Sequence, residues 1–111
     1  MVLCFDEGFF KSICDGVVSC TVKCEDLGLS VGDVVVLGFD GEEKEDGGDC
    51  EVYDLVARIS NVGVYQFRFL DELVAFKMGF RSVGLLWWFL RLVYPDISDE
   101  CLCFVYEFEL L

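Results

Sequence analysis

The stretch Asp15-Gly16-Val17-Val18-Ser19-Cys20-Thr21-Val22-Lys23-Cys24 decides the architecture, because it joins a helix stop to a two-faced strand. Asp15-Gly16 ends the amphipathic segment before it, since glycine readily takes the left-handed conformation that closes a helix. From Val17 onward the period drops to two. Val18, Cys20 and Val22 share one face, and Ser19, Thr21 and Lys23 share the other. In a chain that is 55% hydrophobic, a strand with one polar face is the first place to look for a site.

The elements on either side are set by local signals. Val2 to Phe5 reads as a short strand, and Asp6 can cap the helix after it. Phe9, Phe10 and Ile13 then fall at helical spacing over Glu7 to Cys14, with Lys11 outward. Beyond Cys24, Leu29-Ser30-Val31-Gly32-Asp33 is a turn and Val34 to Phe39 a β-branched strand. Asp40 to Asp49 is glycine-rich and acidic, a solvated loop. Glu51 to Val64 makes a long strand with Arg58 at its middle and Gly63 as the expected bend. Phe69 to Met78 reads as a helix ending at Gly79. Ser82 caps a second, Val83 to Val93, stopped by Pro95. Cys101 to Leu110 alternates as a last strand. Strands separated by clustered helices imply a single α+β domain over 1–111 with a small curled sheet.

Charge narrows the partners. The net charge is −13 and there is no histidine, a balance that repels polyanions and anionic lipid. Much of it is concentrated in residues 42–51 and 96–100, so a local basic pocket is allowed where a broad basic face is not. No apolar run approaches the ~20 residues of a spanning helix, and no basic region precedes an apolar stretch at the N-terminus. The expectation is a cytoplasmic protein with no membrane partner. Of seven cysteines, Cys20, Cys24, Cys101 and Cys103 are the zinc candidates, but neither pair has the C-x₂-C spacing of a zinc site. They read as small buried apolar groups. The run Glu42 to Glu51 departs from EF-hand spacing, and neither metal nor cofactor is expected.

Several segments together resemble the ASCH family. Gly16-Val17-Val18-Ser19-Cys20-Thr21-Val22-Lys23 occupies the place of that family's G-x-K-x-x-T-x-R strand, and Val31-Gly32-Asp33 resembles its "pGD" turn. Gly79-Phe80-Arg81-Ser82 and Tyr94-Pro95-Asp96-Ile97 look like its helical pair, and Val105 to Leu110 like its closing strand. The resemblance implies a PUA-like β-barrel of five to six strands, with one N-terminal helix, a helical pair before the last strand, and a cleft beside the motif strand. It also implies binding of RNA or a nucleotide. One bacterial branch hydrolyses the acetyl amide of N4-acetylcytidine with a threonine nucleophile, an activating lysine and an assisting glutamate. Here Thr21 keeps the nucleophile position, Val18 stands at the lysine position, the glutamate position falls near Gly79, and Lys23 replaces the arginine.

A threonine hydroxyl is a weak nucleophile without an adjacent base. The expected function is therefore recognition of RNA or a modified nucleoside without catalysis, with Gly16, Ser19, Thr21, Lys23, Arg58 and Arg81 as the ligand-binding set. Arg58, Arg81 and Arg91 can add phosphate contacts or pair with surface carboxylates. The alternative is an amidohydrolase with Thr21 as catalytic nucleophile and Glu72 or Lys77 standing in for the missing base. A third reading uses the apolar helix. Trp87 and Trp88 lie ~100° apart and cannot both face one core, so one of them would meet a protein partner or a second copy of the chain.

Overall fold

A computed structural model describes residues 2–40 and 51–111, side chains at 7, 40 and 51–54 excepted. β-Branched and aromatic runs form the strands, as their fit to a pleated, half-buried surface predicts. These are β1 (Val2–Asp6), β2 (Cys20–Lys23), β3 (Val34–Asp40), β4 (Glu51–Gln66) and β5 (Leu102–Leu110). The helices are α1 (Phe10–Cys14), entered through a 3-10 turn at Glu7–Phe9, α2 (Glu72–Lys77) and α3 (Val83–Val93). The strands build one mixed sheet in the order β1-β3-β4-β5-β2. β1 runs parallel to β3, and the other neighbours are antiparallel. The sheet curls until its edge strands, β1 and β2, approach one another, but no ladder joins them. The expected barrel of five to six strands is thus a curled five-stranded sheet that does not close.

Two cores arise from the alternation along β2 and β5. Inside the curl, Leu37, Phe39, Ile59, Tyr106 and Phe108 pack with Ile13 of α1. On the outer face Cys20, Val22, Cys103 and Val105 lie beneath Leu86 and Leu90 of α3. Both faces of β2 are thus covered, and Thr21 is only 3% exposed.

Local chemistry explains the departures from expectation. β2 starts at Cys20, later than the alternation from Val17 implies. The N–H groups of Val17 and Val18 donate to the Ser12 carbonyl, and that of Ser19 donates to Lys77. Gly16, at φ +77°, makes that wrap possible. The helix expected over Phe69 to Met78 is split. Phe67–Phe69 forms a 3-10 turn whose Phe67 and Arg68 amides bond the carbonyls of Cys101 and Asp99. Asp71 then sits in extended backbone as the α2 cap, its Oδ1 accepting from Val74 N at 3.0 Å. Ser82 caps α3 as predicted, with Oγ accepting from Leu85 N at 3.3 Å. The bend in β4 falls at the register shift between Ile59 and Asn61 rather than at Gly63. Gly63 instead admits the Tyr65 ring, since a Cβ there would lie 2.6 Å from Tyr65 Cε2. The acidic loop, residues 41–50, lies outside the described residues. Among the described residues no helix is long and apolar enough to cross a membrane.

Candidate functional site

The unclosed edge of the sheet makes the site. Phe108 N donates to Ser19 O at 2.9 Å, which makes 19/108 a hydrogen-bonded pair of the β2–β5 ladder. Antiparallel pairs alternate, so 21/106 and 23/104 are of the same kind. Cys20 and Val22 then turn their backbone groups away from β5, toward the seam. A cavity of about 270 Å³ opens there, lined by Cys4, Phe5 and Asp6 of β1, by Cys20 to Lys23 of β2, and by Phe89, Val93 and Tyr94 at the far end of the fold. That is slightly under the ~300 Å³ at which small-molecule sites begin.

Few polar groups face this apolar slot. No hydrogen bond to the Thr21 hydroxyl is formed among the described residues, yet none of their buried side-chain oxygens is left unsatisfied. The Thr21 oxygen is therefore reachable from the cavity. Lys23 crosses the seam, and its Nζ donates to the Cys4 carbonyl at 3.0 Å, leaving two of its three donors. Burial holds the Lys23 ammonium below the usual lysine range, and Glu25 opposes that shift. Burial likewise raises the Tyr94 phenol, and the nearby Cys24 backbone opposes that shift. Asp6 accepts from Gly8 N at 2.9 Å through Oδ1, fixing the exit from β1.

Of the predicted ligand set, the structure brings Thr21 and Lys23 together in this cavity. Gly16 is spent on the α1 stop, and Ser19 on backbone bonds to Lys77 and Phe108. Arg58 is exposed on β4, opposite Val34 and Glu109. Arg81 is exposed just before the Ser82 cap, and the Arg91 guanidinium sits 5.1 Å over the Phe67 ring. None of these three lines the cavity.

Val18 and Gly79, where the resemblance implied a lysine and a glutamate, are neighbours. Val18 lines the cavity, and a Cβ on Gly79 would lie 3.0 Å from Val18 Cγ2. Neither residue brings a charged group to the cavity wall that Val18 shares with Thr21. The two stand-in bases are engaged elsewhere. Glu72 Oε2 accepts from Val83 N at 3.0 Å, while Lys77 forms an ion pair with Glu107, which Asn61 also bonds. Lys77, then Asn61, holds the Glu107 carboxyl below its usual range.

Sequence reasoning missed Cys4, Asp6, Phe9, Phe89 and Tyr94. Their only local signal was Tyr94, an aromatic residue with a polar tip at a helix end. Trp87 turns inward and donates from Nε1 to Phe67 O at 3.0 Å, whereas Trp88 is 58% exposed. Among the described residues no group of cysteines or carboxylates is arranged to hold a metal ion. Among the described residues five cysteines carry free thiols, and Cys4 is instead disulfide-bonded.

No family model matches the chain, and no curated protein matches it. Solved structures do. The hypothetical protein PH0355 shares 16% identity over 99% of this chain and 97% of its own, with a TM-score of 0.69. The ASCH domain from Lactobacillus crispatus JV V101 shares 18% over 90% of this chain and 68% of its own, with a TM-score of 0.60. Protein EF3133 from Enterococcus faecalis V583, described under DUF984, shares 13% over 91% of this chain, with a TM-score of 0.64. The chain spans 65% of that protein's length. At these identities the likeness is one of fold alone: a small α+β domain folded like the ASCH domain structure.

Proposed function

We propose that this ASCH-type domain is a binding module that takes a single nucleoside, or one base of an RNA, in the seam cavity and does so without catalysis. The observation that carries the reading is the Thr21 hydroxyl, buried to 3% exposure on the cavity wall with no hydrogen bond of its own among the described residues. A slot of about 270 Å³ suits a flat base between apolar side chains, with Thr21 and Lys23 on its polar edge. The net charge of −13 disfavours a long polyanion, so recognition of one base fits better than a track of phosphates. Catalysis needs a base beside Thr21, and Val18 and Met78 line that wall.

One observation favours the hydrolytic alternative. Lys23 lies two residues from Thr21 on the same strand face, and burial lowers its pKa, the direction that proton acceptance requires.

Calorimetric titration with cytidine, N4-acetylcytidine and a short single-stranded RNA tests both readings. Saturable nucleoside binding is expected, weakened about tenfold by Thr21→Val, the loss of one hydrogen bond worth ~1.4 kcal/mol. Binding of the RNA should depend weakly on salt. No saturation at millimolar nucleoside, or full affinity in Thr21→Val, would refute it. Acetate release from N4-acetylcytidine, lost in both Thr21→Ala and Lys23→Met, would replace recognition with hydrolysis.

A further inference from the structure

Three thiols gather where β2 runs out of its ladder. The register that pairs Lys23 with Phe104, carried one residue on, sets Cys24 opposite Cys103, near enough for each thiol to perturb the other's titration. Because 23/104 is a hydrogen-bonded pair, the next position along that register is of the other kind, for which a regular ladder sets Cα atoms ~4.5 Å apart. That falls within the ~4.4–6.8 Å window of disulfides. Cys101 completes the group. Its Sγ accepts from Ser98 N at 3.3 Å and lies 3.4 Å from Ser98 Oγ, while Cys103 Sγ donates to the Cys101 carbonyl at 3.9 Å.

The three are graded in access. Cys24 and Cys101 line a shallow cavity beside Tyr94 and Pro95, whereas Cys103 is fully buried. They are graded in reactivity too. The Ser98 hydroxyl and amide hold the Cys101 thiol below its usual range, and burial pushes that of Cys103 up to about 12. A thiolate is the reacting form, so Cys101 is the first to react.

We propose that Cys101, Cys24 and Cys103 form a thiol oxidation site that accepts a hydroperoxide at Cys101 and stores the oxidation as a cross-strand Cys24–Cys103 disulfide. The Cys101 thiolate attacks the peroxide O–O bond, giving a sulfenic acid and an alkoxide (hydroxide from hydrogen peroxide) that takes up a proton. The Cys24 thiol displaces the sulfenic oxygen as water, forming a Cys24–Cys101 disulfide. Cys103 then attacks the Cys24 sulfur and releases Cys101 as a thiol. The sum consumes one hydroperoxide and two thiols and yields one alcohol, one water and one disulfide. The last exchange is the slow step, because Cys103 is the poorest thiolate of the three. The finished bridge clamps β2 to β5 next to Lys23 and beside Tyr94, so it stiffens one wall of the seam cavity. The site itself does not depend on what that cavity binds.

The test treats the reduced full-length protein with one equivalent of hydrogen peroxide and places the bridges by tandem mass spectrometry over time. The expected course is a transient Cys24–Cys101 linkage replaced by Cys24–Cys103. Cys101→Ser should slow oxidation by peroxide at least ~10-fold yet still give Cys24–Cys103 with oxidised glutathione. Cys24→Ser should leave a dimedone-reactive sulfenic acid at Cys101. An end point without Cys24–Cys103, or an unchanged peroxide rate in Cys101→Ser, overturns the proposal.

Discussion

Gly79→Ala tests the packing on which the cavity wall rests, with Gly16→Ala as its internal control. Both glycines hold left-handed backbone, at φ +85° and +77°, so alanine at either costs about 1–2 kcal/mol in conformation alone. They differ in what a Cβ would touch. At Gly16 nothing lies within 4 Å, whereas at Gly79 the new atom lies 3.0 Å from Val18 Cγ2 and 3.8 Å from Val17 Cγ1. Val18 cannot simply move aside, since it is buried to 3% exposure and its amide is tied to Ser12. Overpacking of this size adds about 1 kcal/mol. Gly79→Ala should therefore cost about 2–3 kcal/mol against about 1–2 for Gly16→Ala, read from urea midpoints at matched slopes. In thermal melts the gap should be roughly 4 °C. A double-mutant cycle identifies the contact. In a Val18→Ala background the clashing methyls are gone, and the excess cost at Gly79 should vanish. Equal costs at the two glycines, or an excess that survives Val18→Ala, would refute the packing argument.

Two further outcomes rest on single interactions. Tyr106 is fully buried and its hydroxyl accepts from Leu27 N at 2.9 Å. Tyr106→Phe should thus cost about 1–2 kcal/mol and speed hydrogen exchange at the Leu27 amide; unchanged protection there would exclude this role. The Lys77–Glu107 pair sets a pH window through opposite shifts. Glu107 is held low in the fold, so its stabilisation is full above ~pH 4.3 and is lost as pH falls through its folded value. Lys77 is raised, so its share is full below ~pH 10.4 and is lost as pH rises through its folded value. With the two side chains 35% and 20% exposed, Glu107→Gln should cost only about 0.5–1 kcal/mol at pH 7, and less in high salt. A difference from wild type that is the same at pH 3 as at pH 7 would contradict the pairing.

What was legible in the sequence is what local chemistry decides. Gly79 follows α2, Ser82 and Pro95 bracket α3, and the alternation read over Cys101 to Leu110 runs through β5. The length of β2 was hidden, because the carbonyls that take the Val17, Val18 and Ser19 amides belong to α1 and α2. The break before Asp71 was hidden for the same reason, since Phe67 and Arg68 spend their amides on the approach to β5. At the site, Thr21 and Lys23 were visible as a polar strand face. Their burial was not, because it depends on β1 pairing in parallel with β3 and on Val93 and Tyr94 arriving about seventy residues later in the chain. Arg58 and Arg81 carried charge but no positional signal, and they lie away from the cavity.

The cavity is a consequence of the sheet's incompleteness. A curled five-stranded sheet that does not close leaves two edges with backbone groups that must be paired or covered. Among the described residues, no backbone hydrogen bond joins Cys20 or Val22 to another element, and the link across the gap is a side chain, Lys23 Nζ to the Cys4 carbonyl. A lysine strap fixes the width of the seam without filling it, because one donor replaces what a ladder would supply through several. The seam therefore combines apolar walls with an edge of strand groups and a free hydroxyl. That combination suits a flat ligand whose rim carries both donors and acceptors, since such a rim can take the place of the missing strand. A closed barrel with the same residues would hold Thr21 against a neighbouring strand and have no room for a ligand.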